Sequence, residues 1–371
     1  STKEAFINYI TQREYAQKIG SRSLESWMNM LKEAGHLFSQ EFTWLGLIFV
    51  LIGVAVLFKK NRLFFYAGLS VVFFNIILLG NYGNDKDIIL LWRYFLPSYI
   101  IMAIFLAVGL ENFLLLFTKK ESTKIFLFLL PAIIFSVHIA ELNRRDNSLV
   151  PKITQDIFGV MPQGSVFLVA GDTYYGAAIY AQTVLQERPD LLILEEDLFT
   201  NNWYPGQEKK EIEAKGFKYA DNVSDFIKNN KNAEIFSLVN SDLDALSDDI
   251  FPEGIVYGYK TKDSNTDITV EKIKDINDKF WQNQNLEFLK NKNFDKEYLS
   301  KEIISLYTTA LNNLGAYLIN HSYIDAGIEY FKKSLEIREN KNALYNLWGI
   351  YNALGDKTEA IKYKERFDNL K

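Results

Sequence analysis

The run Trp92-Arg93-Tyr94-Phe95-Leu96-Pro97-Ser98-Tyr99 puts a guanidinium and three hydroxyls at the head of a strongly apolar stretch, LWRYFLPSYIIMAIFLAVGL from Leu91. A guanidinium is a planar fork of N–H donors that matches phosphate oxygens two at a time. Arg93, with the hydroxyls of Tyr94 and Ser98, could hold a phosphate or pyrophosphate headgroup by charge-assisted hydrogen bonds. Ionisable groups in apolar spans are costly, which gives the functional reading weight. The other reading is that Arg93 snorkels to water and the tyrosines join an interfacial aromatic belt. Pro97 would bend or start a helix beside the same groups.

A second set lies further on. Gly171-Asp172-Thr173 follows an apolar run and opens a helical one, the place where open α/β sheets take ligands. Asp172 could contact an acceptor or sugar there, or simply cap the helix. The glycine spacing of a dinucleotide site or a P-loop is absent. Glu195, Glu196 and Asp197 could bind a metal or form a solvated acidic loop; no metal site is assigned. Trp203 and Tyr204 in TNNWYPG could stack on a sugar or a peptide, or anchor the loop in a core. The three histidines, His36, His138 and His321, are scattered, and no Ser/His/Asp nucleophile arrangement is legible. The catalytic residue is therefore unknown from these residues. The chain has no cysteine, so disulfides, zinc thiolates and cysteine nucleophiles are excluded.

The elements that position these groups follow from composition. The 371 residues are 48% hydrophobic and 15% aromatic, with formal net charge −5; nothing basic points to nucleic acid. The mean hydropathy of −0.07 hides a split chain. About 20 apolar residues cross a bilayer, and four segments approach that length: Phe42–Phe58, Leu63–Gly80, Ile88–Phe117 and Ile125–Ala140. Lys59, Lys60 and Arg62 follow the first, and Lys119, Lys120 and Lys124 the third. By the positive-inside rule both loops are cytoplasmic, which places everything after Glu141 outside. Arg144 and Arg145 argue mildly the other way. A chain that opens on Ser1 reads as a piece of a longer protein.

After Pro151 short β-rich runs alternate with helical ones. Ser165–Ala170, Leu191–Glu196, Glu234–Val239 and Gly254–Lys260 read as strands of a mostly parallel sheet, and Tyr174–Glu187 as a helix. From about Asn277 the chain reads as wholly helical. NLGAYLINHSYIDAGIEYFKKSLEI and NLWGIYNALGDKTEAIKYKERFDNL align at a period of about 33, pairing Leu314 with Leu347, Gly327 with Ala360, Ile328 with Ile361 and Tyr330 with Tyr363. Those residues resemble the tetratricopeptide repeat. The fold expected is an α-helical membrane bundle of about four spans, then a small α/β domain and a tetratricopeptide-like tail. Its parts are an external amphipathic segment (1–41), a transmembrane region (42–142), an extracytoplasmic α/β domain (143–265) and a helical region with two repeats (266–371).

REYAQKI, WRYFLPSYIIMAIFLAVGL and GSVFLVAGDTYYGAAIYAQTVLQERPDLLILEEDLFTNNWY together resemble the back half of a bacterial membrane family. That family is related to the eukaryotic transmembrane O-mannosyltransferases with tetratricopeptide repeats, of the GT-C type. The resemblance implies the carboxyl-terminal portion of an enzyme moving a sugar from polyprenyl phosphate to exported protein at a bacterial cytoplasmic membrane. It places the catalytic carboxylate, and the ligands of any divalent cation, in an early external loop to which nothing here corresponds. Arg93, Tyr94 and Ser98 are then the candidate donor-phosphate contacts, and Asp172, Trp203 and Tyr204 the acceptor or sugar contacts. The expected partners are membrane lipid, the lipid-linked sugar and an exported acceptor, with no nucleic acid. The rival readings are a membrane-anchored scaffold that binds through the α/β domain and repeats, and a lipid-linked-sugar transporter. Asn75, Arg93, Glu111 and His138 are few for the last.

Overall fold

Three helices near the start of the chain are long and apolar enough to cross a bilayer, and the chain is a membrane protein on that ground. The computed structural model describes Gly20 and residues 22–81, 94–117, 135–136, 139, 147–200, 203–238, 249–260, 269–292, 294 and 298–370. Two units separate, residues 1–144 and residues 145–371.

In the first unit, α1 (Leu24–Lys60) begins where the Ser23 hydroxyl accepts the Ser26 N–H at 3.2 Å, one of the orphan donors of a helix start. It runs 37 residues with one break, at Thr43, where φ is 56° and ψ 162°. The expected first span is the part after that break. The part before it lies almost wholly in the expected segment 1–41 and is helix from Leu24. Trp27, Met30, Ala34, Leu37 and Phe38 recur at helical spacing and pack with Leu79 and Phe95. The amphipathic pattern at Phe6, Tyr9 and Ile10 lies outside the described residues.

Helix α2 (Arg62–Gly80) matches the second expected span, its first turn capped by Asn61 Oδ1 accepting the Phe64 N–H. Helix α3 (Leu96–Phe117) lies within the third expected run, Ile88–Phe117, of which residues 88–93 lie outside the described residues. Pro97 sits in its first turn, where a missing N–H costs nothing, so it starts the helix instead of bending it. The fourth expected span lies outside the described residues except for helical Phe135, Ser136 and Ile139.

Helices α1 and α3 touch through their backbones. A Cβ built on Gly53 would overlap the Phe105 carbonyl oxygen, and one on Gly109 the Phe49 carbonyl oxygen. Among lipid tails no hydrophobic force gathers helices, so such close approach is a chief source of adhesion.

The second unit is built on a five-stranded sheet: β1 (Val166–Val169), β2 (Leu192–Glu195), β3 (Ile235–Leu238), β4 (Asp249–Glu253) and β5 (Val256–Lys260), in the order β2-β1-β3-β5-β4. Strand β1 runs parallel to β2 and β3, whereas β5 is antiparallel to both β3 and β4. The expected mostly parallel sheet is therefore mixed, and β4 is an additional strand. Alternate residues divide between two cores. Phe167, Val169, Ile193, Phe236 and Leu238 face one side; Val166, Leu168, Leu192, Leu194 and Ile235 face the other.

On the first side lie α4 (Leu149–Val160), α5 (Asp172–Thr183), α8 (Val270–Gln282) and α10 (Tyr298–Asn320). On the second lie α6 (Tyr204–Ala214) and α7 (Val223–Asn229). A short helix, α9 (Leu286–Leu289), links α8 to α10. Helix α5 is shorter than the expected Tyr174–Glu187, because Gln186 and Arg188 take positive φ of 58° and 48°.

Helix α10 and α11 (Ile324–Ile337) form one hairpin, α12 (Lys341–Ala353) and α13 (Lys357–Asn369) a second. The helix ends Asn320 and Ala353, the starts Ile324 and Lys357, and the left-handed turn residues Ser322 and Gly355 are each 33 positions apart. Ile328, Phe331, Ala343, Leu344, Leu347 and Tyr363 of α11, α12 and α13 form a cluster of their own, whereas α10 also joins the α/β layer. Ile303, Tyr307, Leu311 and Leu314 of α10 share one core with Phe167, Ile193 and Phe236 of the sheet. Truncating one such side chain costs about 2–5 kcal/mol, so α10 is an integral layer of the unit.

Glu253, at the end of β4, is largely enclosed, and burial pushes its carboxyl up to about 7. The folded chain thus holds this proton more tightly than the unfolded chain, whose value is near 4.5. The contribution is full below that lower value and is lost as pH rises through the folded one, on the order of 1–3 kcal/mol. Urea unfolding in detergent micelles should show the protein weaker at pH 8 than at pH 5. Glu253→Gln should shrink that difference; an unaltered slope would assign it to other groups.

Candidate functional site

The head of α3 and the carboxyl ends of β1 and β2 hold the residues singled out by the sequence. They belong to different units, so each is described alone.

At the head of α3, Tyr94 is 58% exposed and Ser98 0%. Ser98 Oγ donates to Asn75 Oδ1 at 2.7 Å, and Asn75 Nδ2 donates to the Tyr94 carbonyl at 3.1 Å. This chain of bonds ties α2 to the entry of α3 inside an apolar bundle. Ser98 is therefore corrected from a phosphate contact to an interhelical one: its hydroxyl is enclosed and engaged. Tyr94 keeps an exposed side chain. Phe38 stands edge-on to Tyr99 with centroids 5.5 Å apart, and the Tyr99 hydroxyl is buried with no hydrogen-bond partner among the described residues. Arg93 lies outside the described residues.

At the strand ends, Gly171 follows β1 with φ of 91°, a conformation glycine adopts freely, and Asp172 begins α5 exposed to solvent. Asp172 is the first residue of the helix; its cap position belongs to Gly171. Glu195, the last residue of β2, is 2% exposed. Its Oε1 accepts the Gly171 N–H at 3.1 Å and its Oε2 the Leu198 N–H at 2.6 Å. One carboxylate thus pins the β1–α5 turn to the 3-10 turn Asp197–Thr200. Burial raises its pKa in spite of these two bonds, and Asp197 and Asp172 raise it further.

The Glu195 N–H in turn donates to Tyr204 Oη at 2.8 Å, and the Tyr175 hydroxyl interacts electrostatically with that of Tyr204. Burial raises the pKa of both tyrosines and that of Glu208 on the next helix. Tyr204 is enclosed, with its ring edge-on to Phe199 at 5.5 Å. It is corrected from a stacking surface to a core anchor, since no ring face is left for a ligand. Trp203 packs edge-on to Tyr204 and is half exposed. Asp172, Trp203 and Tyr204 are thus gathered around the end of β2, with only the first two on the surface.

Tyr175 and Glu208 are the members that sequence reading missed. A second tyrosine in a helix and a glutamate in a charged run carry no signal of their own. The arrangement offers a half-exposed indole, an exposed carboxylate and a phenol whose oxygen is already bonded inward. It suits weak recognition of a hydroxyl-rich surface better than proton transfer. Among the described residues no three His, Asp or Glu side chains are placed to hold a metal ion.

The Arg188-Pro189-Asp190 turn has a different part. Arg188 donates to the carbonyls of Phe158, Met161 and Pro162 at the end of α4, and to Asp190 at 3.0 and 2.9 Å. Orphan carbonyls of a helix end are thereby satisfied by a cation. Arg188 in return holds the Asp190 carboxyl at about 2. No family model, curated protein or solved structure matches the chain.

Proposed function

We propose that the chain is the carboxyl-terminal part of a membrane glycosyltransferase of the protein O-mannosyltransferase kind. It would take its sugar from polyprenyl phosphate and deliver it to hydroxyls of exported protein. The carrying observation is the head of α3, where Tyr94 keeps an exposed side chain at the entry of an apolar helix immediately after Arg93. The family resemblance supports it, as does a membrane unit followed by an α/β layer and paired helical hairpins. In such a transfer a carboxylate takes the acceptor proton and the acceptor oxygen bonds to the anomeric carbon. The bond to phosphate breaks with its electron pair on the phosphate. Arg93 stabilises that developing charge. The carboxylate, and the ligands of any divalent cation, lie outside this chain on the same reading. On this reading the second unit lies on the outer side of a bacterial cytoplasmic membrane, an orientation that the basic loops support.

The test is transfer of labelled sugar from polyprenyl phosphate to hydroxyl-bearing peptides by membranes carrying the natural protein. Arg93→Ala should lower it at least a hundredfold, about 2.7 kcal/mol of lost stabilisation, with the same amount of folded protein present. Full activity in the variant removes Arg93 from the account.

A second reading, an anchored scaffold, is favoured by Glu195. Both its oxygens turn inward to backbone N–H groups, which makes the most buried acid of the second unit a structural strut.

A further inference from the structure

Helices α1 and α2 are joined by one residue, Asn61, so Lys59, Lys60 and Arg62 are gathered at the shared end of two apolar helices. The asparagine fixes the turn. Its N–H donates to the Leu57 carbonyl at 2.8 Å, its Oδ1 accepts the Phe64 N–H at 3.1 Å, and its carbonyl accepts the Phe65 N–H at 3.0 Å. A link this short leaves the flanking cations little freedom to separate.

The three cations are not alike. Lys60 Nζ donates to Asn112 Oδ1 on α3 at 2.8 Å, and Asn112 Nδ2 donates to the Val108 carbonyl at 2.8 Å. Lys60 is thereby committed to holding α1 against α3. The Arg62 guanidinium lies 5.4 Å from the centroid of the Phe58 ring. Contact with a ring face uses none of its N–H donors, which stay available to an anion. Lys59 and Arg62 are exposed, and neither makes a hydrogen bond or ion pair among the described residues. Glu111, the acid on α3, forms no ion pair there either.

Beside these cations the surface is apolar. Phe58, Leu63 and Tyr66 are exposed. The rings of Phe58 and Phe65 meet edge-on at 5.2 Å, and those of Phe65 and Tyr66 at 5.0 Å. Tyr66 stands one turn after Arg62 on the same face of α2. Uncompensated cations next to an exposed aromatic flank suit an amphiphile with a negative headgroup and a hydrocarbon tail. A free phosphate would engage the cations and leave the flank unused.

We infer that the α1–α2 turn seats one anionic phospholipid, its phosphate on Lys59 and Arg62 and an acyl chain along Phe58, Leu63 and Tyr66. The inference stands whether or not the protein transfers sugar.

The probe is phosphatidylglycerol, added to the full chain in detergent micelles and counted by native mass spectrometry. Phosphatidylcholine with the same acyl chains serves as comparison. One phosphatidylglycerol should stay bound under conditions that strip phosphatidylcholine. A cation beside an anionic lipid contributes about fivefold, so Arg62→Gln should weaken retention about fivefold. Lys59→Gln with Arg62→Gln should weaken it about twentyfold at unchanged thermal stability. Arg62→Lys should keep most of it, because the charge remains. Lys341→Gln with Lys357→Gln, which removes two cations from the second unit, should leave it unchanged. Equal retention of both lipids, an unchanged affinity in the double variant, or binding of glycerol phosphate as tight as that of the lipid would each overturn the inference.

Discussion

Gly109→Leu is expected to take the membrane unit apart. At this position even a Cβ overlaps the Phe49 carbonyl oxygen, and Gly53 faces it with the same constraint toward Phe105. Overpacking usually costs about 1–3 kcal/mol because side chains can yield; here the obstacle is backbone, so more than about 4 kcal/mol is expected. The chain has no cysteine, which makes a paired probe simple. The rings of Phe49 and Phe113 lie 5.3 Å apart across the same helices. With cysteines at those two positions, a short bifunctional thiol reagent should cross-link the parent and fail on Gly109→Leu. Gly35→Leu, with no atom near its added Cβ, should cross-link like the parent. Equal yields from parent and Gly109→Leu would mean that α1 and α3 do not meet through their glycines.

The two spans that were easiest to read were set by length and charge alone. Leu63–Gly80 matches α2 almost residue for residue, and the break in α1 at Thr43 falls beside the anticipated start of the first span. Helical spacing before Thr43 was equally present, but polar residues among the apolar ones made it look like a separate surface segment. Strand β4 escaped because Pro252 sits inside it, and proline argues against a strand. Its place at the sheet edge resolves the conflict, since an edge strand has N–H groups that need no partner. The two-residue turn Gly254-Ile255, with Gly254 at φ of 63°, was the available sign that β4 and β5 form a hairpin. The 33-position spacing of the two hairpins holds for their helix ends and turn residues. It does not extend to burial: Ile328 is covered, whereas Ile361 is 57% exposed because no further hairpin follows it in the described chain.

Arg188→Ala should cost the second unit about 3–5 kcal/mol, the scale of breaking a mostly buried charge pair. It removes the guanidinium from the Phe158 and Met161 carbonyls, while Pro162 keeps the Ser165 hydroxyl, and leaves Asp190 without its cation. Arg188→Lys should recover only part of this, because an ammonium lacks the planar fork that reaches carbonyls and carboxylate together. Denaturant unfolding followed by far-ultraviolet circular dichroism checks both. A loss under about 1 kcal/mol for the alanine variant would show that water replaces the guanidinium at no great cost. The work of this turn is to join α4 to the strand that follows, which no local spacing reveals.

The strand-end residues were legible in part for a physical reason. Leu191, Ile193 and Glu195 alternate onto one face of β2, and the first two are core. Continuing the alternation puts Glu195 inward, where backbone N–H groups must meet it. Tyr175 depends on how α5 rotates against β2, a tertiary relation that is absent from the order of residues.

The sugar-transfer reading is tested most directly on the products. Exported proteins should be compared by intact mass in cells carrying the natural protein and in cells carrying its Arg93→Ala form. The account predicts sugar-sized mass additions on serine or threonine in the first and their loss in the second, with both forms present in equal amount. Identical spectra from the two would contradict it.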